Sequence, residues 1–258
     1  MESTKTRILK KLLETDGYLS GQDLCEQLGV SRTAVWKYMK QLKEEGYEIE
    51  AVQNKGYCLK DVPDVLGESE IKSRLHTRWA GQTLYYYDEI DSTNTQIKRL
   101  AEEDAPHGTL AVADYQSKGK GRRGHAWDSP HGSAIYMSIL FRPDIRPDRA
   151  SMLTLVIGLS VAQAIRDNLG LQAQIKWPND IVLNGKKLVG ILTEMSAQMN
   201  YIEYLVTGIG INANLREFPE ELADKATSLQ KETGHKVNRS ALIAECMKKI
   251  EENYETFV

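Results

Sequence analysis

Residues 20–42, SGQDLCEQLGVSRTAVWKYMKQL, carry two helix signals separated by a glycine. Ser20 begins a Ser-x-x-Asp pattern, which is typical of a helix N-terminus, and apolar residues with helical spacing follow it. Gly29 ends this helix, and Ser31 is a favourable N-cap for the next one. The next helix has an apolar stripe formed by Val35, Met39 and Leu42. The stretch therefore predicts two short helices joined by a tight turn.

The sequence on either side completes this unit. Apolar residues with helical spacing predict an earlier helix at Ile8, Leu9, Leu12 and Leu13. After Gly46, alternating residues at 47–52, a turn at 53–56 and a short run at 57–59 predict a β-hairpin. Three helices followed by a hairpin make a winged helix-turn-helix, a DNA-binding fold, which we assign to residues 1–62.

The third predicted helix would be the recognition helix of this unit. Together with the wing, it offers side chains to base edges and phosphates: Ser31, Arg32, Thr33, Trp36, Lys37 and Lys55. Residues 1–62 contain ten Lys and Arg and ten Asp and Glu, so the unit has no overall basic charge. Affinity for DNA would therefore need a dimer. A small helical domain with solvated surface charges is the alternative.

The composition is that of a folded protein. The 258 residues are 41% hydrophobic and 27% charged, and the net charge is −3, which excludes a disordered chain and a basic nucleic-acid coat protein. Cys25, Cys58 and Cys246 are far apart and odd in number, which argues against a disulfide framework or a zinc site. We find no secretory signal pattern and no run of about 18 apolar residues, so we expect a cytoplasmic protein without a membrane span.

A second module is predicted after residues 63–67, a linker with a proline, a glycine and no periodicity. The elements predicted in residues 68–258 are strands at 83–87, 109–114 and 134–141, helices at 94–103 and 149–168, a β-meander over 174–211 with an Asn184-Gly185 turn, an irregular stretch at 212–237 and a final amphipathic helix. The predicted fold class is therefore α+β: a winged helix-turn-helix followed by a mixed β-sheet domain flanked by helices.

Residues 116–125, QSKGKGRRGH, form a glycine-rich basic loop with no acid between Asp114 and Asp128. Glycines let backbone amides approach an anion closely, and Lys and Arg supply charge and forked donors. A phosphate or carboxylate is the expected occupant, although the loop lacks the Walker pattern. A solvated basic loop, or one that binds nucleic acid, is the alternative.

Three other clusters carry polar or glycine-rich patterns. Ser92-Thr93-Asn94 follows a predicted strand and suits a neutral polar ligand group, although such a triplet is most often a plain helix cap. KWPND at 176–180 combines an aromatic residue, a rigid turn and a carboxylate. GIGIN at 208–212 is superficially similar to a dinucleotide fingerprint, but no helix follows it, which argues against a nicotinamide or flavin enzyme. The five histidines have no metal-ligand spacing, so no protein-bound metal is predicted.

Taken in order, these motifs resemble those of the biotin protein ligases: STN at 92–94, Gln116, GKGRRG at 119–124, Trp127, KWPND at 176–180, KKLVGIL at 186–192 and GIGIN at 208–212. The winged helix in front resembles that of the bifunctional members, which also repress biotin-synthesis and transport genes. For residues 68–258, the resemblance implies a fold similar to class II aminoacyl-tRNA synthetases and biotin synthetases.

The resemblance also implies a reaction and a site. Biotin and ATP with Mg²⁺ would form biotinyl-5′-adenylate and pyrophosphate, and biotin would then pass to a lysine of a biotin carboxyl carrier protein. The side chains at 92–94 and Gln116 would hold the ureido ring, the loop cations would neutralise the reacting anions, and Asp180 would orient the acceptor amine. The residues implied to bind biotin or its adenylate are Ser92, Thr93, Asn94, Gln116, Gly119, Lys120, Gly121, Arg122, Arg123, Trp127, Lys187, Gly190, Gly208, Gly210 and Asn212, and those implied to be catalytic are Lys187, Arg122 and Asp180.

By the same resemblance, biotinyl-5′-adenylate would act as corepressor. Closure of residues 117–127 and of the stretch after Asn212 over the adenylate would favour a homodimer, which places two winged helices on a palindromic operator. The implied protein partners are the carrier proteins of acetyl-CoA carboxylase and, as a further candidate, of pyruvate carboxylase. No membrane partner is implied.

Three features depart from the family pattern. Lys120 stands where the family has Arg, which keeps the charge but loses forked hydrogen bonding. Phe218 is the only Phe, Tyr or Trp between Asn212 and Val237, so the residue that contacts adenine is open. The small C-terminal SH3-like barrel of the family is expected to be absent from this chain. Two alternatives remain: a biotin-sensing regulator without ligase turnover, and a lipoyl-type ligase.

Overall fold

The computed structural model describes residues 3–199 and 201–258, which form two compact units divided between Arg74 and Leu75. The first unit contains α1 (Thr4–Glu14), α2 (Gly21–Leu28), α3 (Arg32–Glu44), β1 (Glu48–Val52), β2 (Gly56–Asp61) and α4 (Glu68–Arg74). Strands β1 and β2 pair antiparallel, and Leu19 adds an isolated bridge to Tyr57. The predicted winged helix-turn-helix is confirmed.

Local capping explains the turn between α2 and α3. The Ser20 side chain accepts hydrogen bonds from the backbone N–H groups of Gln22 and Asp23, and the Ser31 side chain accepts one from Ala34. Gly29 has a φ of 65°, a left-handed conformation that glycine adopts without a steric penalty. The apolar faces of the three helices then share one buried core, which includes Leu9, Leu24, Val35 and Leu42.

Helix α4 lies in the first unit, whereas residues 63–67 were predicted to be a linker and 68–74 to open the second module. Val65 packs against the core of the winged helix, and the buried Glu70 accepts hydrogen bonds from Tyr47 and from Arg74. These contacts tie the supposed linker and the following helix to the first unit, so the division falls after Arg74.

The second unit is built on a seven-stranded mixed sheet with the order β3-β4-β5-β9-β8-β7-β6. Strands β3 and β4 are parallel, all other neighbours are antiparallel, and β6 to β9 form the predicted meander. Its elements are β3 (Leu84–Ile90), α5 (Thr93–Glu102), β4 (Leu110–Gln116), β5 (Ile135–Phe141), α6 (Ala150–Leu169), β6 (Gln174–Lys176), β7 (Asp180–Leu183), β8 (Lys186–Ala197), β9 (Ile202–Ile211), α7 (Leu229–Thr233) and α8 (Arg239–Phe257).

Strand register assembles one face of this sheet. Gly210 of β9 lies opposite both Tyr136 of β5 and Gly190 of β8, and Gly208 lies opposite both Ser138 and Leu192. Successive side chains of a strand point to opposite faces, so these two rows share a face. Helix α5 packs on the sheet through β4, β5 and β9, while α6 packs against α8 and β8.

The helical stretch Pro147–Leu169 is the one described helix that is long and apolar enough to cross a membrane. This similarity to a membrane span rests on length and composition alone, and half of the most apolar part of the helix is buried within the protein. Its contacts with α8 and β8 give these apolar residues a protein partner inside the second unit. This burial is typical of a core helix.

The carboxylate of Glu251 in α8 anchors the start of the second unit. It accepts hydrogen bonds from the backbone N–H groups of Arg78, Trp79 and Ala80 at 2.8–3.1 Å. Burial raises the pKa of Glu251, but the three backbone donors and the Arg78 charge outweigh burial and hold it below its usual value. A carboxyl whose pKa is lower in the folded state stabilises the fold above its ordinary pKa.

We expect Glu251→Gln to lower the free energy of unfolding by about 1–3 kcal/mol at neutral pH, because an amide nitrogen would face backbone donors. The difference from wild type, measured by urea unfolding, should shrink as the pH falls through the lowered pKa of the folded state. Glu252→Gln is the matched control, since Glu252 is exposed and meets Lys249 only at 3.5 Å. Equal losses in both variants, or a loss independent of pH, would contradict this role.

Candidate functional site

A cleft opens on the sheet face described above. Twelve of the fifteen residues predicted to bind the ligand line it: Ser92, Thr93, Asn94, Gln116, Lys120, Gly121, Arg122, Trp127, Lys187, Gly190, Gly208 and Gly210. Gly119, Arg123 and Asn212 do not. Residues from four distant segments of the chain therefore meet at one place.

One end of the cleft is a neutral polar pocket, which consists of Ser92, Thr93, Asn94 and Gln116. Gln116 Oε1 accepts hydrogen bonds from the backbone N–H of Thr93 at 2.9 Å and from its hydroxyl at 3.1 Å. Gln116 Nε2 donates to Ser129 Oγ at 3.0 Å. Because Gln116 caps the first N–H of α5, Ser92 occupies the N-cap position without using its own hydroxyl there. The Ser92 hydroxyl is thus left for the cleft.

Two polar residues that contact the polar pocket were not identified by the sequence analysis. Ser138 Oγ lies 2.7 Å from Thr93 Oγ1 and 2.6 Å from Asn94 Oδ1. Glu194 accepts hydrogen bonds from Asn94 Nδ2 at 2.8 Å and from Lys98 Nζ at 2.6 Å. The available signal for Ser138 was one polar residue in the otherwise apolar strand IYMSILF. Glu194 carried no such signal.

The other end of the cleft is cationic. Lys187 Nζ lies 2.7 Å from Asp180 Oδ1 and 5.3 Å from the centre of the Trp127 ring. Asp180 Oδ1 is buried, and Lys187 is its charge partner. Arg122 donates to Asn179 Oδ1 at 2.9 Å, and Lys120 donates to Thr95 Oγ1 at 2.8 Å. Three cations therefore border a cleft in which each could meet an anion.

Glycines allow two side chains to lie close to the sheet. A Cβ on Gly190 would lie 2.5 Å from Trp127 Cζ3, and one on Gly210 would lie 2.7 Å from Trp127 Cε2. A Cβ on Gly208 would overlap Asn94 Oδ1, and Gly119 packs against Trp127 and Ser129. The indole Nε1 of Trp127 is buried and has no hydrogen-bond partner among the described residues. The glycines thus shape the cleft without lining it with side chains.

The remaining predicted residues lie close to these groups. Arg123 is exposed, with a φ of 56°, and follows Arg122 in a short 3₁₀ turn. Asn212 lines a second cleft together with Phe218, Lys225, Lys187 and Trp127. The two clefts therefore share Lys187 and Trp127.

The segment that forms the second cleft is attached to the start of β8. The N–H of Lys187 donates to Lys225 O at 2.7 Å, and the N–H of Thr227 donates to Lys187 O at 2.9 Å. Asn212 Nδ2 donates to Thr227 O at 3.0 Å. Residues 212–237, predicted to be irregular, thus contain α7 and several backbone hydrogen bonds to the sheet.

The first unit carries the residues predicted to bind DNA. Ser31 caps α3, and Arg32, Thr33, Trp36 and Lys37 are exposed on its first two turns. The indole of Trp36 is 59% exposed, which is unusual for a large apolar side chain without a partner surface. Lys55 is exposed at the wing turn, where its Nζ lies 5.5 Å from the centre of the Tyr18 ring.

Comparison with known families matches both units. The biotin/lipoate A/B protein ligase family matches residues 86–212, and a helix-turn-helix domain matches residues 4–58. The first match contains all four segments of the first cleft. The second contains α3 and the wing turn.

Individual relatives and a solved structure are similar to two thirds or more of the chain. The bifunctional ligase/repressor BirA of Bacillus subtilis is 44% identical over the whole chain, which covers 81% of that protein. BirA of Escherichia coli is 33% identical over 95% of the chain and 75% of its own length. The structure of the Aquifex aeolicus biotin protein ligase in complex with biotin and ATP is 38% identical, with a TM-score of 0.59 over 68% of this chain and 72% of that one. The chain therefore belongs to the biotin/lipoate A/B protein ligase family, and within it to the bifunctional ligase/repressors that carry an N-terminal helix-turn-helix domain.

Proposed function

We propose that this protein activates biotin with ATP to biotinyl-5′-adenylate, transfers biotin to a lysine of a biotin carboxyl carrier protein, and represses biotin genes while the adenylate is bound. The observation that carries the proposal is the single cleft that joins a neutral polar pocket to three cations. Biotin has the matching polarity, because its urea is neutral and its far end is a carboxylate.

The two ends of the cleft bind different groups of the substrates. The Ser92 hydroxyl, Thr93 and Gln116 hydrogen-bond the urea, whose N–H groups and oxygen need partners when water is excluded. Lys120, Arg122 and Lys187 neutralise the carboxylate and the α-phosphate of ATP, two anions that must approach each other for the bond to form. Pyrophosphate leaves, and the acyl carbon becomes open to attack.

The adjoining cleft suits the nucleotide. Lys187 stands between the two clefts, and Phe218 provides an aromatic surface that Lys231 also contacts, with its Nζ 5.6 Å from the ring centre. The described residues contain no cluster of three or more His, Cys, Asp or Glu side chains that could hold a metal. Mg²⁺ enters with ATP as part of the substrate in this proposal, as is general for reactions at nucleotide phosphates.

The transfer step needs a neutral lysine amine from the carrier protein. Asp180 lies beside Lys187 and its carboxylate can orient that amine or receive its proton. Closure of residues 117–127 and of the segment after Asn212 protects the adenylate from water. The same closure favours the homodimer, which binds a palindromic operator with biotinyl-5′-AMP as corepressor. The protein acts in the cytoplasm.

The decisive experiment is biotin-dependent exchange of pyrophosphate into ATP, followed by transfer of labelled biotin to the carrier domain of acetyl-CoA carboxylase. Exchange and transfer together are expected. Biotin binding without exchange would favour a biotin-sensing regulator without turnover. Exchange supported by lipoate in place of biotin would favour a lipoyl-type ligase.

Replacement of Arg32 separates the two activities. We expect Arg32→Ala to weaken binding to a palindromic DNA selected with the wild-type protein by about 1–3 kcal/mol, the usual cost of a lost base contact. Fluorescence anisotropy with biotin and ATP present measures this loss, and adenylation should remain unchanged. Lys43→Ala is the control, since Lys43 lies eleven residues further along α3, about 16 Å away along the helix axis. Parallel loss of both activities would contradict separate functions for the two units.

A further inference from the structure

A chain of hydrogen bonds runs from the surface of α5 into the polar pocket. Lys98 Nζ donates to Glu194 Oε1 at 2.6 Å, and Asn94 Nδ2 donates to Glu194 Oε2 at 2.8 Å and to Leu192 O at 3.3 Å. Asn94 Oδ1 faces Ser138 Oγ at 2.6 Å, and Ser138 Oγ faces Thr93 Oγ1 at 2.7 Å. Asn94 is thus occupied by protein partners on both sides of its amide.

The charge of Glu194 determines which atom donates and which accepts in each of these hydrogen bonds. Burial raises the pKa of Glu194, but the hydrogen bonds from Lys98 and Asn94 outweigh burial and hold it below its usual value, so the group is an ionised carboxylate at neutral pH. A carboxylate only accepts hydrogen bonds. Asn94 must therefore turn its NH₂ group to Glu194 and its carbonyl oxygen to Ser138.

The same assignment of donors and acceptors extends to Thr93. Ser138 has one hydroxyl proton, and Asn94 Oδ1 is an acceptor 2.6 Å away that draws this proton. Thr93 Oγ1 donates its proton to Gln116 Oε1 at 3.1 Å, and Ser138 Oγ lies 2.7 Å away as a second group that can donate to Thr93 Oγ1. With its proton used inside the protein, Thr93 Oγ1 can present only a lone pair to the cleft.

We propose that Glu194 is a positioning residue that acts through Asn94 and Ser138 to keep Thr93 Oγ1 a hydrogen-bond acceptor for an N–H group of the ligand. The inference rests on the proposed function, in which that N–H belongs to the biotin urea. It also assigns Asn94 a supporting role within the protein instead of the direct ligand contact implied by the family resemblance.

Glu194→Gln keeps the size of the side chain but reverses the donor and acceptor roles along this series of hydrogen bonds. The Lys98 ammonium holds the amide oxygen of the new glutamine, so the glutamine NH₂ faces Asn94. Asn94 must then turn over and point its own NH₂ at Ser138, whose proton is displaced towards Thr93 Oγ1. Ser138 Oγ then donates to Thr93 Oγ1 and competes with the ligand N–H for its lone pairs. Lys98→Met together with Glu194→Gln removes the ammonium and lets the glutamine oxygen return to Asn94.

The test measures biotin-dependent pyrophosphate exchange of the full chain. We expect Glu194→Gln to raise the KM for biotin at least tenfold, with kcat and the KM for ATP within twofold of wild type. The double variant should return the biotin KM to within threefold of wild type. Glu203→Gln is the matched control, because Glu203 on the neighbouring strand β9 accepts from Ser196 and Gln198 outside the cleft.

Three results would overturn the inference while leaving the proposed function standing. These are an unchanged biotin KM in Glu194→Gln, a parallel fall of kcat and rise of both KM values, or no recovery in the double variant. Thermal unfolding of each variant distinguishes a loss of folded structure from a change in the donor and acceptor roles. Absence of biotin-dependent exchange in the wild-type protein would instead reject the proposed function, and the inference with it.

Discussion

Lys187→Ala is expected to slow adenylate formation by a factor of about 30 to 1,000, since a lost charge-stabilising donor costs roughly 2–4 kcal/mol in the transition state. Lys187 borders both clefts, and in the proposed function it is the cation beside which the carboxylate and the α-phosphate meet. Its removal also leaves Asp180 without its ion-pair partner. Pyrophosphate exchange at saturating biotin and ATP measures the effect.

Lys186→Ala is the control for this prediction. Lys186 is the preceding residue of β8, but its Nζ donates to Ala223 O at 3.3 Å and does not line the first cleft. Both variants lose one lysine charge from the same strand. Unchanged exchange in Lys187→Ala, or equal losses in the two variants, would show that the reacting groups meet elsewhere.

Gly190→Ala and Gly210→Ala should each lower kcat/KM for biotin by about 10- to 100-fold, on the scale of the 1–3 kcal/mol that overpacking costs. The new methyl group at either position overlaps the Trp127 ring, which must then move into the cleft. Because the two glycines face each other across β8 and β9, the two variants should have similar effects. Steady-state exchange at varied biotin concentrations gives the value.

Gly158→Ala provides the comparison for these two variants. Gly158 is a buried glycine of α6, and a Cβ there would lie 3.7 Å from the nearest atom, at an ordinary contact distance. Alanine also favours the helix by up to about 1 kcal/mol. Activity should therefore persist with equal or higher stability. If Gly190→Ala and Gly210→Ala were as active as Gly158→Ala, Trp127 would not shape the cleft.

The parts of the fold that depend on neighbouring residues were predictable. Ser20, Gly29 and Ser31 define the ends of two helices by local capping, and Asn184-Gly185 takes positive φ at both turn residues, as its composition favours. Helix α4 was missed because Ile71 is the only large apolar residue in ESEIKSR, so the segment has no stripe. Its burial comes from tertiary partners, Tyr47 among them.

The candidate site was predictable where motifs carry unusual residue types. Glycines and cations in one loop and a polar triplet before a helix stand out in any sequence. Ser138 and Glu194 do not, because each becomes informative only through the strand register and the packing of α5, which place both beside Asn94. Sequence patterns of this kind report on one element at a time, whereas the polar pocket is made of contacts between elements.

The backbone of Lys187 is bonded on both sides to residues 225–227. These two hydrogen bonds join the strand to the loop at fixed points, so the number of residues between Asn212 and Ala226 cannot change freely. A deletion there would displace Lys187 from its position in β8, and an insertion would have to extend into solvent. Spacing, more than composition, is therefore what this loop must preserve.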